Sequence, residues 1–156
     1  LESVLKTAYT EIELVTVAPP TREELVKVTA QGSEYVQRAC KRFITELDQG
    51  KRLKTTYLYP VELWRLGDQT IVALGGEVVV DYAIMLKGML GRDVFVMGYC
   101  NHLIGYIPSV RVLREGGYEG GTSQILYDIP CKWQEDIESR ILTAIRELAA
   151  KTGCPM

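Results

Sequence analysis

Histidine is nearly absent from this sequence, and the residue types that mark the commonest catalytic sites are missing or wrongly spaced. The 156 residues contain one histidine, and the four cysteines form no CxxC pair or other zinc spacing. The sequence also lacks a GxSxG nucleophile elbow, a phosphate loop with its lysine and a GxGxxG that opens a helix. The residues therefore define no complete hydrolytic triad, zinc finger or nucleotide-binding motif.

An excess of one charge and a long apolar run are lacking as well. The formal net charge is −2, so we expect no general attraction to nucleic acid. No apolar run approaches the roughly 18 residues that a membrane-spanning helix needs. The composition, 47% hydrophobic and 24% charged, is typical of a globular protein. It favours a single domain over residues 1–156, a length that suffices for a hydrophobic core.

The cysteines and the first residue bear on compartment and completeness. We interpret the cysteines as free thiols, although one disulfide involving Cys131 or Cys154 stays open and the count alone fixes no compartment. The chain starts at Leu1, with no methionine and no signal-peptide pattern. We expect this start to reflect processing or truncation.

The segment from Thr70 to Ile107 predicts a βαβ unit. Thr70–Leu74 is a short β-branched strand, and Val78–Leu90 has apolar residues at helical spacing. Gly91 stands where a helix ends, and Asp93–Met97 predicts a second strand. A crossover helix between two such strands makes them parallel and the connection right-handed.

The flanking sequence predicts further strands and helices. Pro60 lacks an amide donor, which favours an edge position or a bulge, and Gly67-Asp68 is typical of a hairpin turn into the βαβ unit. Thr21 and Glu24 have capping-box spacing. The predicted strands are Glu11–Val17 and Thr55–Leu66. One predicted helix starts at Thr21, and the other three span Ser33–Asp48, Val110–Arg114 and Trp133–Thr152. The fold class is therefore α/β (α+β): a small mixed β-sheet of about four strands, with a hairpin, one βαβ unit and helices packed on it.

Glu77 and the loop Gly98–Tyr106 follow the two parallel strands of the unit. Ligands of parallel sheets bind beyond the carboxyl ends of the strands, so we expect Glu77 and the polar residues of this loop to converge. Glu77 follows two glycines, a position suited to a metal ligand or a general base. It equally suits an acid that interacts favourably with the helix dipole.

The loop itself carries the sequence Asn101-His102 and, after Gly105, Tyr106. A single loop histidine is usually solvent-exposed or hydrogen-bonded, and no nucleophile is marked beside it. Tyr106 can bind a cation as a phenolate, or it can be a half-buried aromatic with a hydrogen-bonded hydroxyl. The run GGYEGG around Tyr118 suits a flexible rim over a site.

These motifs occur in an order that identifies a family. The segment LGGEVVVDYAIMLKGMLGRDVFVMGYCNHLIGYIPSVRVLREGGYEGGTS contains Gly-Gly-Glu, then Gly-x-x-Asn-x-x-x-x-Tyr, then Glu-x-x-Tyr-Glu-Gly. It resembles the C-terminal part of the catalytic domain of neutral/alkaline non-lysosomal ceramidases, in particular their bacterial ceramidase-like branch. The resemblance extends from about Glu11 to Leu148.

The resemblance implies a zinc-dependent amidohydrolase that cleaves the N-acyl bond of ceramide. Glu77 matches the family's carboxylate zinc ligand and Tyr106 its tyrosine ligand, while Gly76 stands where well-studied members have proline. The family's two zinc histidines and its catalytic serine lie in an upstream half that these residues do not include, and His102 replaces neither histidine. The resemblance thus implies an incomplete site without a catalytic residue of its own. Related enzymes are secreted or periplasmic.

We therefore expect a C-terminal half-domain that is inactive alone and whose partner is the N-terminal half. The substrate class would be a lipid-like or other small amide. Two alternatives stay open: a non-catalytic binding or assembly module, and a hydrolase of another small substrate on the same domain. A half-domain exposes a sheet edge or an apolar face, so we also expect a homo-oligomer.

Overall fold

A computed structural model of the protein describes residues 4–155 and has the predicted mixture of helices and strands. The strands are β1 (Leu5–Val15), β2 (Thr56–Leu66), β3 (Gln69–Leu74), β4 (Glu77–Val78), β5 (Phe95–Met97) and β6 (Tyr106–Ile107). The helices are α1 (Arg22–Gln31), α2 (Glu34–Asp48), α3 (Val80–Leu90), α4 (Val110–Glu115) and α5 (Ile137–Thr152). A π-helical turn (Tyr118–Thr122) and a 3-10 turn (Gln124–Tyr127) lie between α4 and α5.

The main sheet has four strands in the order β1-β2-β3-β5. β2 pairs antiparallel with β1 and β3, and β3 pairs parallel with β5. The turn between β2 and β3 contains Gly67 with a φ of +62°, as the predicted hairpin requires. The βαβ unit is also confirmed, with α3 as its crossover helix.

Pro60 occupies an edge position within β2, as expected for a residue without an amide donor. β2 lies between β1 and β3, and its pairing with β1 is continuous, with Pro60 opposite Glu11. The ladder with β3 ends at the pair Val61–Leu74. Pro60 therefore pairs on one side only, and this explains why a central strand tolerates a residue without an amide hydrogen.

Several boundaries differ from those predicted because pairing between distant segments extends or replaces the expected elements. β1 begins at Leu5 and pairs along all of β2. α3 begins at Val80 because Glu77–Val78 forms the short strand β4, which pairs parallel with β6. α5 begins at Ile137 rather than Trp133, whose backbone forms an isolated bridge with Thr16.

One face of the main sheet packs against α5, and α3 contributes to the same core. The predicted apolar stripe of α3 is confirmed, since Val79, Tyr82, Leu86 and Leu90 are buried. The core also includes Leu14, Val61, Leu63, Val72, Leu74, Ile137, Ile141, Ile145 and Leu148. α1 and α2 enclose a second, smaller cluster of Leu25, Ala39, Cys40, Phe43 and Leu53.

Local signals at other positions agree with the structure. Thr21 and Glu24 form the predicted capping box of α1. The four cysteines are free thiols, so the disulfide left open above does not form. Within residues 4–155, no helix is both long and apolar enough to cross a membrane.

The opposite face of the main sheet presents apolar side chains to solvent. Trp64, Ile71 and Phe95 are neighbours in register across three strands, and Phe95 is 57% exposed.

We expect this face to promote the homo-oligomer that the sequence predicts. Light scattering should show a dimer or larger species, and Phe95→Lys should shift it toward the monomer.

A matched variant separates this face from general surface apolarity. Tyr35→Lys removes a similarly exposed ring from α2 and should leave the oligomeric state unchanged. A wild-type protein that is monomeric at high concentration would contradict the prediction.

An ion pair joins the first turn of α3 to α4. Arg111 makes two hydrogen bonds to Asp81, of 2.9 and 3.1 Å, and Ser109 Oγ donates to the same carboxylate at 2.5 Å. The Arg111 hydrogen bond, followed by that of Ser109, lowers the pKa of Asp81. Because the folded-state pKa is lowered, this contribution to stability is complete above the unfolded-state pKa and is lost as pH falls through the folded-state value.

Asp81→Asn should therefore destabilise the protein in a pH-dependent manner. At neutral pH we expect the Tm to fall by roughly 5 °C, because hydrogen bonds to a charged group are lost. The difference from wild type should close as pH falls below the carboxyl's ordinary pKa of 3.8. Asp93→Asn, at an exposed position, is the control, and a pH-independent difference for Asp81→Asn would contradict the interpretation.

Candidate functional site

Two glycines place Glu77 at the carboxyl end of β3. Gly76 has a φ of +66°, and a Cβ on it would lie 2.7 Å from the Gly105 carbonyl oxygen. A Cβ on Gly75 would lie 3.0 Å from the His102 carbonyl oxygen. The turn needs glycine because a second segment of backbone passes directly against it.

That segment is the loop between β5 and β6, which is hydrogen-bonded to the turn through the main chain. The Gly76 amide donates to the His102 carbonyl at 2.7 Å, and the Tyr99 amide donates to the Gly76 carbonyl at 2.8 Å. The Glu77 amide donates to the Gly105 carbonyl at 2.8 Å. The expected convergence of this loop with Glu77 is therefore present and arises from backbone pairing.

Glu77 and Tyr106 are direct partners in the parallel ladder of β4 and β6. Direct partners in a ladder project to the same side, so the two side chains are neighbours. Hydrogen bonding to Glu77, followed by desolvation, raises the pKa of Tyr106. The same two causes raise the pKa of the Tyr99 hydroxyl. One carboxylate thus faces two phenols that remain protonated at neutral pH.

Two further tyrosines surround this pair. The rings of Tyr118 and Tyr127 stand edge-on to that of Tyr106, with centroids 5.4 and 6.5 Å away. Partial burial, and then the charge of Glu77, raises the pKa of Tyr127. Tyr118 lies in the GGYEGG run, as expected for a rim, whereas the sequence interpretation gave Tyr99 and Tyr127 no role.

The main-chain carbonyl of Tyr106 is held by two buried side chains. Gln124 Nε2 donates to it at 2.9 Å and Trp133 Nε1 at 3.0 Å. Both side chains are essentially inaccessible to solvent. Sequence reasoning missed both residues, because a side-chain hydrogen bond to a distant main-chain atom has no sequence pattern.

His102 is exposed and does not belong to the cluster that Glu77 forms with the four tyrosines described above, Tyr99, Tyr106, Tyr118 and Tyr127. Its side chain borders a separate groove of about 400 Å³ together with Tyr9, Glu11 and Lys54. Its main-chain carbonyl, rather than its imidazole, contacts the turn before Glu77. This agrees with the solvent-exposed interpretation of a single loop histidine.

The cluster offers oxygen donors but, within residues 4–155, no complete set of metal ligands. Among the ion pairs of residues 4–155, none involves Glu77. Within the same residues, no three His, Cys, Asp or Glu side chains are grouped to hold a metal ion. Glu77 and Tyr106 nevertheless offer adjacent carboxylate and phenol oxygens. A catalytic zinc needs three protein ligands and an open position, so these donors fit part of such a site.

No protein-family model matches this chain, and comparison with curated proteins finds no match. The resemblance to ceramidases therefore stays a prediction from the order of the motifs. The geometry around Glu77 is the independent observation on which a functional proposal can be built.

Gly105→Ala should disturb this cluster in a way that backbone strain alone does not explain. A Cβ on Gly105, which has a φ of +102°, would lie 3.0 Å from both Gln124 Oε1 and Tyr127 Cγ. Gly91 has the same φ of +102° with nothing within 4 Å of a Cβ, so Gly91→Ala measures the strain alone. We expect each to lower the free energy of unfolding by about 1–3 kcal/mol, with the larger loss for Gly105→Ala. Equal losses in denaturant titrations would show that the packing on Gly105 contributes nothing.

Proposed function

We propose that this chain supplies part of the zinc site of an amidohydrolase that resembles neutral ceramidases and cleaves an N-acyl amide bond. The observation that carries the proposal is the pairing of Glu77 with Tyr106 beyond the carboxyl end of β3. These are the two residues that the family motif matches to zinc ligands. Motif order and three-dimensional proximity are separate observations, and both support the same two residues.

The proposed roles follow from the chemistry of each group. Glu77 provides an anionic oxygen, and Tyr106 provides a phenol oxygen beside it. Bound zinc would polarise an amide carbonyl and lower the pKa of a water molecule. The histidine ligands and the nucleophile would come from the upstream half of the domain, so the 156 residues alone should be inactive. Exposed Tyr99 and Tyr118 offer apolar surface beside the site for a lipid-like or other small amide substrate.

The non-catalytic alternative assigns Glu77 to stabilising the start of α3. The N-cap of α3 is Val79, without a side-chain hydrogen bond, and the acid in its first turn is Asp81. Glu77 instead belongs to β4 and pairs with Tyr106, and hydrogen bonding to it raises the pKa of both Tyr106 and Tyr99. These contacts favour a role for Glu77 in the cluster over a role as a helix cap. A hydrolase of a different small substrate would use the same geometry and differ in its upstream loops.

Zinc titration of the chain tests the incomplete site. We expect weak zinc binding by calorimetry, because two oxygen ligands leave the tetrahedral set unfilled. Glu77→Gln and Tyr106→Phe should each weaken it further, while Tyr118→Phe, a nearby exposed tyrosine, should not. Tight equimolar binding by the wild-type chain would refute the incomplete-site proposal, and binding that is indifferent to Glu77→Gln would refute the ligand assignment.

The coding sequence upstream of Leu1 tests the family assignment. Two histidines and a serine in the ceramidase motifs are expected there. With that sequence joined to this chain, Glu77→Gln should abolish zinc-dependent amide hydrolysis without unfolding the protein. Upstream sequence with no such residues would instead favour the binding-module alternative.

A further inference from the structure

We propose that Gln124, together with Trp133, is a positioning residue that holds Tyr106 against Glu77. The proposal rests on the metal-ligand role proposed for Tyr106 and adds two residues outside the family motif on which that role is based. Both would act through the main chain of Tyr106 rather than by touching the metal or the substrate.

The backbone of β6 is held on both of its edges. On one edge, the Gly105 and Ile107 carbonyls accept from the Glu77 and Val79 amides at 2.8 and 3.3 Å. On the other edge, the Tyr106 carbonyl accepts hydrogen bonds from two side chains, through Gln124 Nε2 and Trp133 Nε1. The main chain on both sides of the Tyr106 side chain is therefore fixed by donors from three separate segments.

The hydrogen-bonding needs of the Tyr106 carbonyl do not explain Gln124. Trp133 alone already gives this carbonyl a donor at 3.0 Å. Gln124 is fully buried, and its Oε1 has no hydrogen-bond partner among the described residues. An unpaired buried polar atom opposes folding, so an apolar residue here would stabilise the fold better. The proposed role explains why a buried amide is kept here: its hydrogen bond to the carbonyl fixes the orientation of Tyr106.

Gln124 also links the main chain of Tyr106 to the environment of its ring. Gln124 and Tyr127 are the first and last residues of the same 3-10 turn. Tyr127 stands edge-on to the Tyr106 ring and lies directly over Gly105. One short element thus contacts the carbonyl, the preceding residue and the ring, and a shift of this element would turn the phenol away from Glu77.

A metal-free measurement tests the positioning. Tyrosine labelled with ¹³C at Cζ reports the polar environment of each phenol, and Tyr106→Phe assigns the Tyr106 signal. Glu77→Gln defines the shift of that signal when the carboxylate contact is lost. We expect Gln124→Met, which keeps the length but lacks the amide, to move the Tyr106 signal toward the Glu77→Gln value.

Two further variants keep this measurement decisive. Gln134 Nε2 donates to the Thr16 carbonyl at 3.1 Å, so Gln134→Met removes a chemically equivalent hydrogen bond elsewhere and should leave the Tyr106 signal unchanged. Trp133→Phe removes the second donor and should shift the signal in the same direction as Gln124→Met. It also serves as the test if Gln124→Met fails to fold. An unchanged Tyr106 signal in folded variants would overturn the proposal.

Binding of the metal alone then connects positioning to function. Zinc affinity of the chain should fall about 10- to 100-fold in Gln124→Met, as is usual when a residue that orients a ligand is removed, and should not change in Gln134→Met. If Glu77→Gln weakens zinc binding but Gln124→Met does not, the positioning role is wrong and the proposed function stands. If Glu77→Gln has no effect on zinc, the proposed function fails, while the ¹³C signal still decides the positioning role.

Discussion

The site depends on one backbone interaction: the pairing of the Gly75-Gly76-Glu77 turn with the loop that follows β5. Main-chain hydrogen bonds connect Gly76 to Tyr99 and His102, and Glu77 to Gly105. Such bonds impose a fixed register whatever the side chains are, and the register sets Glu77 opposite Tyr106. The contact between the carboxylate and the phenol is therefore a consequence of the β3–α3–β5 arrangement, which brings both segments to one end of the sheet.

This loop adopts backbone conformations that oppose folding by themselves. Tyr99 and Asn101 have φ values of 58° and 60°, in the left-handed region that costs an L-residue roughly 1–2 kcal/mol. Asn tolerates this region, but tyrosine is uncommon there. The loop keeps it because the Tyr99 amide is bonded to the Gly76 carbonyl and its hydroxyl contacts Glu77. Strain of this kind concentrates at functional sites, where the surrounding structure over-determines the backbone.

Two kinds of feature were predictable from the sequence: elements whose apolar residues repeat with a regular spacing, and arrangements that follow from a geometric rule for turns or parallel strands. The hairpin at Gly67-Asp68 and the stripe of α3 follow from local patterns, and the meeting of Glu77 with Tyr106 follows from the rule for parallel strands. The two-residue ladder of β4 and β6 is too short to have a period. Gln124 and Trp133 reach Tyr106 across 18 and 27 positions, and polarity alone does not single out a buried glutamine. The rule for proline also holds at Pro60, because a strand that is central for most of its length can lack a partner at one residue.

The electrostatics of the cluster explain why the two proposed ligands should bind a cation weakly in this chain. Hydrogen bonding to Glu77, then desolvation and the negative charge of Glu77, raise the pKa of Tyr106 and so oppose loss of its proton. Tyr106 can become an anionic ligand only if a nearby divalent cation outweighs that repulsion. A cation held by two oxygens and water keeps much of its hydration and acts weakly on the phenol. The histidines proposed for the upstream half would displace water from such a cation, and charges interact more strongly where less water is present. Under the proposed function, Glu77 and Tyr106 would therefore complete a metal site that other residues begin.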